Sequence, residues 1–179
     1  MKTEKALRRA QGNKFYVICD NIRSLENIGS IFRTSDALGV SKIFLCGISG
    51  KMPAWETGLH KKISKTALGA EKNVPFEYCA STSKLIDKLK RPSFARQLTG
   101  FEGRSKINII ALEQDKDAVL YTEFKPQFPL ALILGNEVEG VSKKILKKAD
   151  KIIFLPMSGQ KESLNVSVAF GVAGYHIIN

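Results

Sequence analysis

Apolar positions along this chain fall into short continuous runs separated by longer polar segments with helical spacing. FYVICD (Phe15 to Asp20), KIFLCG (Lys42 to Gly47), VPFEYCA, INIIALE, PLALILG and KIIFLP are compact runs rich in strand formers. Between them, NIRSLENIGSIFRTSDALGV places Ile28, Ile31, Phe32 and Leu38 at near-helical spacing, with Asn27 as a candidate N-cap and Gly39 as a C-cap. LHKKISKTALGA predicts a helix with its lysines outward, and STSKLIDKLK one with Leu85, Ile86 and Leu89 inward. In VSKKILKKAD a helical projection gathers Lys143, Lys144, Lys147 and Lys148 on one face, which is either a solvated face or part of a phosphate-binding surface. The segment from Leu164 to Ile178 is apolar nearly all round, predicting a helix buried against its own sheet and against a second subunit. Strands alternating with helices, each strand a nearly continuous apolar run, predict an α/β fold: a mostly parallel six-stranded sheet with helices on both faces.

Two segments break this alternation. Residues 1–14 form a basic lead-in to a single domain spanning 15–179. Arg91 to Lys106 is punctuated by Pro92, Gly100 and Gly103 and interleaves Arg91, Arg96, Arg104 and Lys106 with Phe94 and Phe101. It reads as a long loop, able either to grip RNA by phosphate contact and base stacking or to tuck its phenylalanines onto the core.

Charge narrows the class of partner. Lys and Arg number 28 against 17 acidic residues, a formal net charge of +11, which favours a polyanion, nucleic acid before membrane. No apolar run approaches the roughly 20 residues a membrane span requires, and the charged start lacks the apolar core of a signal peptide. Cys19, Cys46 and Cys79 show no metal-ligand spacing and only His60 and His176 accompany them, so no metal is expected. Such cysteines suit a reducing compartment, and the expected location is cytoplasmic. GISG (Gly47 to Gly50) lacks the full glycine pattern of a dinucleotide turn.

Three separated stretches carry the chemistry: NIRSLENIGSIFRTSDALGV with its N-x5-R spacing, LALILGNEVEGVS, and IIFLPMSGQKESLNVSVAFGVAGY with SLNVS after a strand ending in proline. Together, and in this order, they resemble the three motifs of the SpoU (TrmH-like) RNA ribose methyltransferases of the SPOUT superfamily. The resemblance implies a C-terminal deep trefoil knot, a homodimer, S-adenosylmethionine bound bent within the knot, and methyl transfer to a ribose 2′-hydroxyl of tRNA or rRNA. It implies a cofactor pocket of Leu112, Gly135, Leu155, Met157, Ser163 and Leu164, with Leu112 on its apolar side and the backbone at Leu155 and Met157 facing the adenine edge. Ser163 and Leu164 would open the last helix. Arg33, otherwise a solvated charge on an amphipathic helix, corresponds to the motif-one arginine, either stabilising a developing alkoxide or accepting the proton. Asn27 would orient Arg33 or the ribose, Glu137 would hold the motif-one groups, and Ser163 and Asn165 complete the implied catalytic set. A catalytically silent RNA-binding subunit and a base-nitrogen RNA methyltransferase are the alternatives. The short lead-in and the long 91–106 segment depart from the family's usual pattern and leave the choice of RNA open.

Overall fold

The computed structural model describes residues 14–50, 60–100 and 106–179. The elements are β1 (Phe15–Asp20), α1 (Leu25–Leu38), β2 (Lys42–Cys46), a 3-10 turn (Gly47–Gly50), α2 (His60–Ala67), α3 (Ala70–Asn73), β3 (Phe76–Cys79), α4 (Thr82–Leu89) and α5 (Pro92–Thr99). They continue with β4 (Asn108–Leu112), β5 (Val119–Leu120), β6 (Leu130–Leu134), α6 (Lys143–Leu146), β7 (Lys151–Phe154) and α7 (Val166–Ile178).

The strands form one seven-stranded sheet in the order β3-β2-β1-β6-β4-β7-β5, every neighbouring pair parallel. The sequence predicts six. The additional strand is β5, two residues in the polar stretch expected to be loop with a turn of helix, and it extends the edge beside β7. Central β1 and β6 are buried along their whole length because helices cover both sheet faces, which is why their apolar residues do not alternate with polar ones.

Side chains divide between the faces by the period of two along each strand. On one face Val17, Leu45, Leu132 and Ile110 pack under α1, α2 and α7 through Ile28, Phe32, Ile63, Phe170 and Ala173. On the other, Ile18, Phe44, Ile133 and Ala111 pack under α4, α5 and α6 through Ile86, Leu89, Ala95 and Ile145. Strand order reverses around β1 and β6: the chain winds outward from β1 to β3, then crosses to β4 and later inserts β6 between them. Crevices at such reversals, at the carboxyl ends of the strands, are where open α/β sheets bind ligands.

Several local expectations are corrected. The N-cap of α1 is Ser24, whose Oγ accepts from the Asn27 N–H at 3.1 Å. Asn27 lies within the first turn, leaving its side chain for other contacts. Arg91 to Lys106 is no uninterrupted loop: Pro92 occupies the first turn of α5, where its missing N–H costs nothing, and Gly100 caps the end. Its Phe94 packs on the core with Lys88 Nζ 4.2 Å above the ring, while Phe101 and Arg104 lie outside the described residues. The lysine-rich helix is one turn, Lys143–Leu146, after which Lys148 turns to Asp87. The last helix, α7, is buried against its own sheet as expected, and within the single chain its other side is exposed. Val168, Val172 and Tyr175 are 52%, 40% and 50% exposed, whereas Phe170, Ala173, Gly174 and Ile177 are inward. Gly174 permits α1 and α7 to touch, since a β-carbon there would sit 2.5 Å from Leu38 Cδ1.

Candidate functional site

β4, β6 and β7 end beside one another, and their last residues floor a cleft of about 540 Å³, within the range of small-molecule sites. Leu112 closes β4, Leu134 closes β6 and Leu155 follows β7; with Leu164, Val166 and Ala169 they form its apolar wall. Gly135, Met157, Ser163, Leu164 and Asn165 also line it, as do Glu113, Glu137, Glu139 and Glu162. All six residues of the expected cofactor pocket therefore surround one cavity, together with Glu137 and Asn165.

The turn GNEVEG that forms one rim is built by its own side chains. Asn136 Oδ1 accepts from the N–H groups of Val138 and Glu139 at 2.9 and 3.1 Å, and Asn136 and Gly140 exchange backbone hydrogen bonds at 3.1 and 2.9 Å. Asn136 Nδ2 donates to the Asn21 carbonyl at 2.8 Å, tying the turn to the end of β1. A β-carbon at Gly135 would run into the Gly140 backbone and lie 2.5 Å from Val141 N. Gly135 is thus needed first to close the turn and only then to admit a ligand.

Glu137 reaches back from this turn to the start of α1. Its Oε2 accepts from Arg23 N at 3.1 Å, and its Oε1 accepts from Ser24 N at 3.0 Å and from Asn27 Nδ2 at 2.9 Å. A carboxylate at a helix N-terminus is favoured by the unpaired N–H groups and the dipole there. Partial burial pushes the Glu137 pKa up, but the hydrogen bonds from Arg23, Ser24 and Asn27 outweigh it and hold the carboxyl below its ordinary value. On its other side Asn27 Oδ1 accepts from Asn165 Nδ2 at 3.0 Å, and Asn165 Oδ1 accepts from Ser167 N at 2.9 Å and Ser167 Oγ at 2.7 Å. Asn165 is the N-cap of α7, so that helix begins at Val166 and Ser163 and Leu164 precede it rather than open it. Glu137, Asn27 and Asn165 form a continuous bridge across all three motif stretches, with the cleft beside it.

Arg33 is placed differently. It is exposed on α1, does not line the cleft of its own chain, and pairs with no carboxylate among the described residues.

Two residues without a sequence signal also shape the site. Glu113 follows β4 and accepts from Val141 N at 2.6 Å, clamping the far end of the turn. Gln114 Nε2 donates to the Leu155 carbonyl at 2.6 Å, so that this carbonyl is already engaged from within the chain. Their only sequence mark is their place immediately after an apolar strand. Among the described residues no group of His, Cys, Asp and Glu is arranged to hold a metal ion, and no helix is long and apolar enough to cross a membrane.

A parallel α/β sheet with a ligand cleft at the ends of β4, β6 and β7, roofed by a helix-capping network, defines a class of small-molecule-binding α/β domain. Residues 14–175 match the model of the SpoU rRNA Methylase family, and the chain belongs to that family. It is 33% identical over 159 residues to a tRNA (guanosine(18)-2′-O)-methyltransferase of Aquifex aeolicus, covering 89% of this chain and 66% of the relative. To the putative TrmH family tRNA/rRNA methyltransferase YacO of Bacillus subtilis it is 27% identical over 173 residues, 97% of this chain and 61% of the relative. The chain thus spans 61 to 66% of these relatives' length. Among solved structures, the Aquifex aeolicus TrmH/SpoU tRNA modifying enzyme superposes with a TM-score of 0.70 at 31% identity, covering 98% of this chain and 82% of that one. The SpoU methyltransferase AviRb of Streptomyces viridochromogenes, solved with AdoMet, superposes at 0.74 over 93% of this chain and 60% of its own, and at 24% identity it speaks for the fold.

Proposed function

We propose that the protein transfers the methyl group of S-adenosylmethionine to a ribose 2′-hydroxyl of tRNA or rRNA. The observation that carries this reading is the Glu137–Asn27–Asn165 bridge, which joins the three motif stretches of a SpoU-family chain around one cleft. The cleft suits the cofactor chemically. Leu112, Leu134 and Leu155 offer an apolar bed for a flat base, backbone polar groups after β7 stand at its edge, and the Glu113, Glu137, Glu139 and Glu162 carboxylates favour a cationic ligand. Bound there, S-adenosylmethionine supplies an electrophilic methyl group on a sulfonium. Leu112, Gly135, Leu155, Met157, Ser163 and Leu164 are the residues assigned to hold it.

The chain's remaining work is to place the hydroxyl in line with that methyl and to offset the negative charge that grows as its proton leaves. Glu137 cannot donate, because all its hydrogen bonds are accepted ones; it positions Asn27 and the first turn of α1. Asn27 in turn holds Asn165 at the cleft wall, beside Ser163. Arg33 is the cation assigned to the phosphate next to the target ribose and to the developing alkoxide. Its place outside its own cleft suits a homodimer in which it serves the cofactor of the second subunit, and the exposed apolar stripe of α7, Val168, Val172 and Tyr175, is the face such a dimer would bury. In this reading residues 15–179 act as one domain, its C-terminal part threaded into a trefoil knot around the cleft, in a cytoplasmic protein.

The test is transfer of labelled methyl from S-adenosylmethionine to total tRNA and, separately, to rRNA, followed by nuclease digestion and nucleoside analysis. A 2′-O-methylnucleoside is expected from one pool, and Arg33→Ala should fold and bind cofactor but lose turnover. Methyl on a base nitrogen, or cofactor binding with no transfer to either pool, overturns the ribose assignment; wild-type turnover in Arg33→Ala removes that residue from the mechanism.

A further inference from the structure

Two basic stretches that are distant in sequence, Lys84 to Arg96 and Lys143 to Lys148, lie on the same face of the sheet, where α4, α5 and α6 share one hydrophobic layer. The helices of this face carry little negative charge, and of the strand carboxylates on this side Asp20 is buried and bonded to Thr82 while Glu77 is engaged by Lys42 at 3.2 Å. Asp87 and Asp150 are the only carboxylates in segments 82–100 and 142–150, and lysines already engage both: Lys148 reaches Asp87 at 2.6 Å, while Lys90 and Lys106 reach Asp150 at 3.1 and 3.3 Å. Asp150 is also committed on its other oxygen, accepting from Ile109 N at 2.8 Å. The cations left over are exposed: Lys84 and Lys88 on α4, Arg91 and Arg96 bordering and within α5, Lys143, Lys144 and Lys147 on and after α6. None of them pairs with a carboxylate among the described residues. On the opposite face the charges are mixed: α2 carries Lys61, Lys62 and Lys65, but Glu26 of α1 lies within the field of Lys62 and Lys65, α1 also carries Asp36 and Arg33, and α7 has no Asp, Glu, Lys or Arg.

We propose that the face formed by α4, α5 and α6 is an RNA-docking surface that holds the phosphate backbone of a double-stranded segment while the target nucleotide is presented to the cleft. The choice of RNA as the polyanion rests on the function proposed above; the surface itself follows from charge and shape. An array of unpaired cations on a rigid helical layer recognises phosphates at regular spacing and gains affinity by releasing their counterions. Bases are not served here. Phe94, the aromatic of this layer, is packed on the core beneath Lys88, and no large apolar side chain is exposed on α4, α5 or α6. That absence leaves no aromatic platform for stacking the bases of single strands and no apolar side chain for insertion into a lipid surface. A duplex backbone, read through phosphates alone, fits what remains. Geometry connects the surface to the site, because α6 begins three residues after Gly140, the last residue of the turn that rims the cleft.

Fluorescence-anisotropy titration of the full chain with an RNA duplex of about 16 base pairs, the span a compact duplex-binding module covers, tests this across a salt series. Arg96→Gln/Lys144→Gln/Lys147→Gln should bind the duplex on the order of 30-fold more weakly at 0.1 M salt, with the slope of log affinity against log salt shallower by about 2 to 3. Its affinity for S-adenosylmethionine should match the wild type, confirming an intact fold. Lys72→Gln/Lys116→Gln/Lys125→Gln removes the same charge elsewhere and should change duplex affinity far less. Equal losses in the two triple variants, unchanged binding in the first, or the same charge-dependent binding to phosphatidylserine vesicles with none to the duplex would each overturn the surface. Methyl transfer measured in parallel separates the two proposals. Surface-dependent duplex binding without transfer retains this surface and defeats the reaction, and transfer with surface-independent binding does the reverse.

Discussion

Asn27→Ala removes the centre of the bridge and exposes how much of the site depends on it. The substitution deletes the donor to the Glu137 carboxylate at 2.9 Å and the acceptor for Asn165 Nδ2 at 3.0 Å. A hydrogen bond to a charged group contributes about 1.5–3 kcal/mol and a neutral one about 1, and because Glu137 is exposed the lower figure applies to the first. The expected loss is about 2.5 kcal/mol, which in a chain of this size lowers Tm by about 5–10 °C. Urea denaturation should show a lower midpoint at unchanged m, since the contact is lost without altering the surface exposed on unfolding. A double-mutant cycle with Glu137→Ala isolates the pair and should give a coupling of about 1–2 kcal/mol. Freed from Asn27, Asn165 no longer fixes the cleft wall, so calorimetric affinity for S-adenosylmethionine should fall about fivefold, the equivalent of about 1 kcal/mol. Additive single substitutions, with no coupling beyond about 0.3 kcal/mol, would refute the bridge as an energetic unit.

Three further outcomes follow from the same geometry. Gly135→Ala should destabilise the chain by more than about 2 kcal/mol in urea melts and abolish cofactor binding, since the added carbon meets backbone at Gly140 and Val141 that has nowhere to yield; near-wild-type behaviour would mean the turn opens freely. The depressed pKa of Glu137 means that its contribution to stability is present above the unfolded value of about 4.3 and is lost as pH falls through the lower folded value. The Tm difference between wild type and Glu137→Gln should therefore shrink as pH is lowered from about 6 to below about 4, and a difference that stays constant would remove the ionic share. Val172→Asp, on the exposed stripe of α7, should leave Tm of the monomer nearly unchanged but shift sedimentation from dimer to monomer; a wild type that sediments as a monomer at all concentrations would refute the dimer face.

How far the sequence reveals this molecule depends on the range over which each feature is encoded. β1, β2, β4 and β6 are apolar runs whose burial on both sides leaves a local signature, β7 is a shorter and less buried run, and the ends of α1 and α4 are marked by capping residues within a few positions. β5 has no such signature, because two residues held only by pairing with Ile153 and Phe154 cannot state their partner in their own composition. α5 is hidden by Pro92 and Gly100, which look like loop punctuation until their places at the first turn and the C-cap are seen. The site divides the same way. Leu112, Gly135, Leu155, Met157, Ser163 and Leu164 are recognisable by motif and do meet at one cleft. Nothing local to Asn27, however, says that its amide will join a carboxylate 110 residues away to an asparagine 138 residues away. Nor do Glu113 and Gln114 differ in pattern from any polar pair after a strand; their function is assigned by the GNEVEG turn and the Leu155 carbonyl that the sheet order brings to them. Motif spacing thus names the groups that line the cleft, whereas the groups that hold those in place are specified only by topology, and Glu137 belongs to both sets because it lines the cleft and accepts from Arg23 N, Ser24 N and Asn27 Nδ2 at the start of α1.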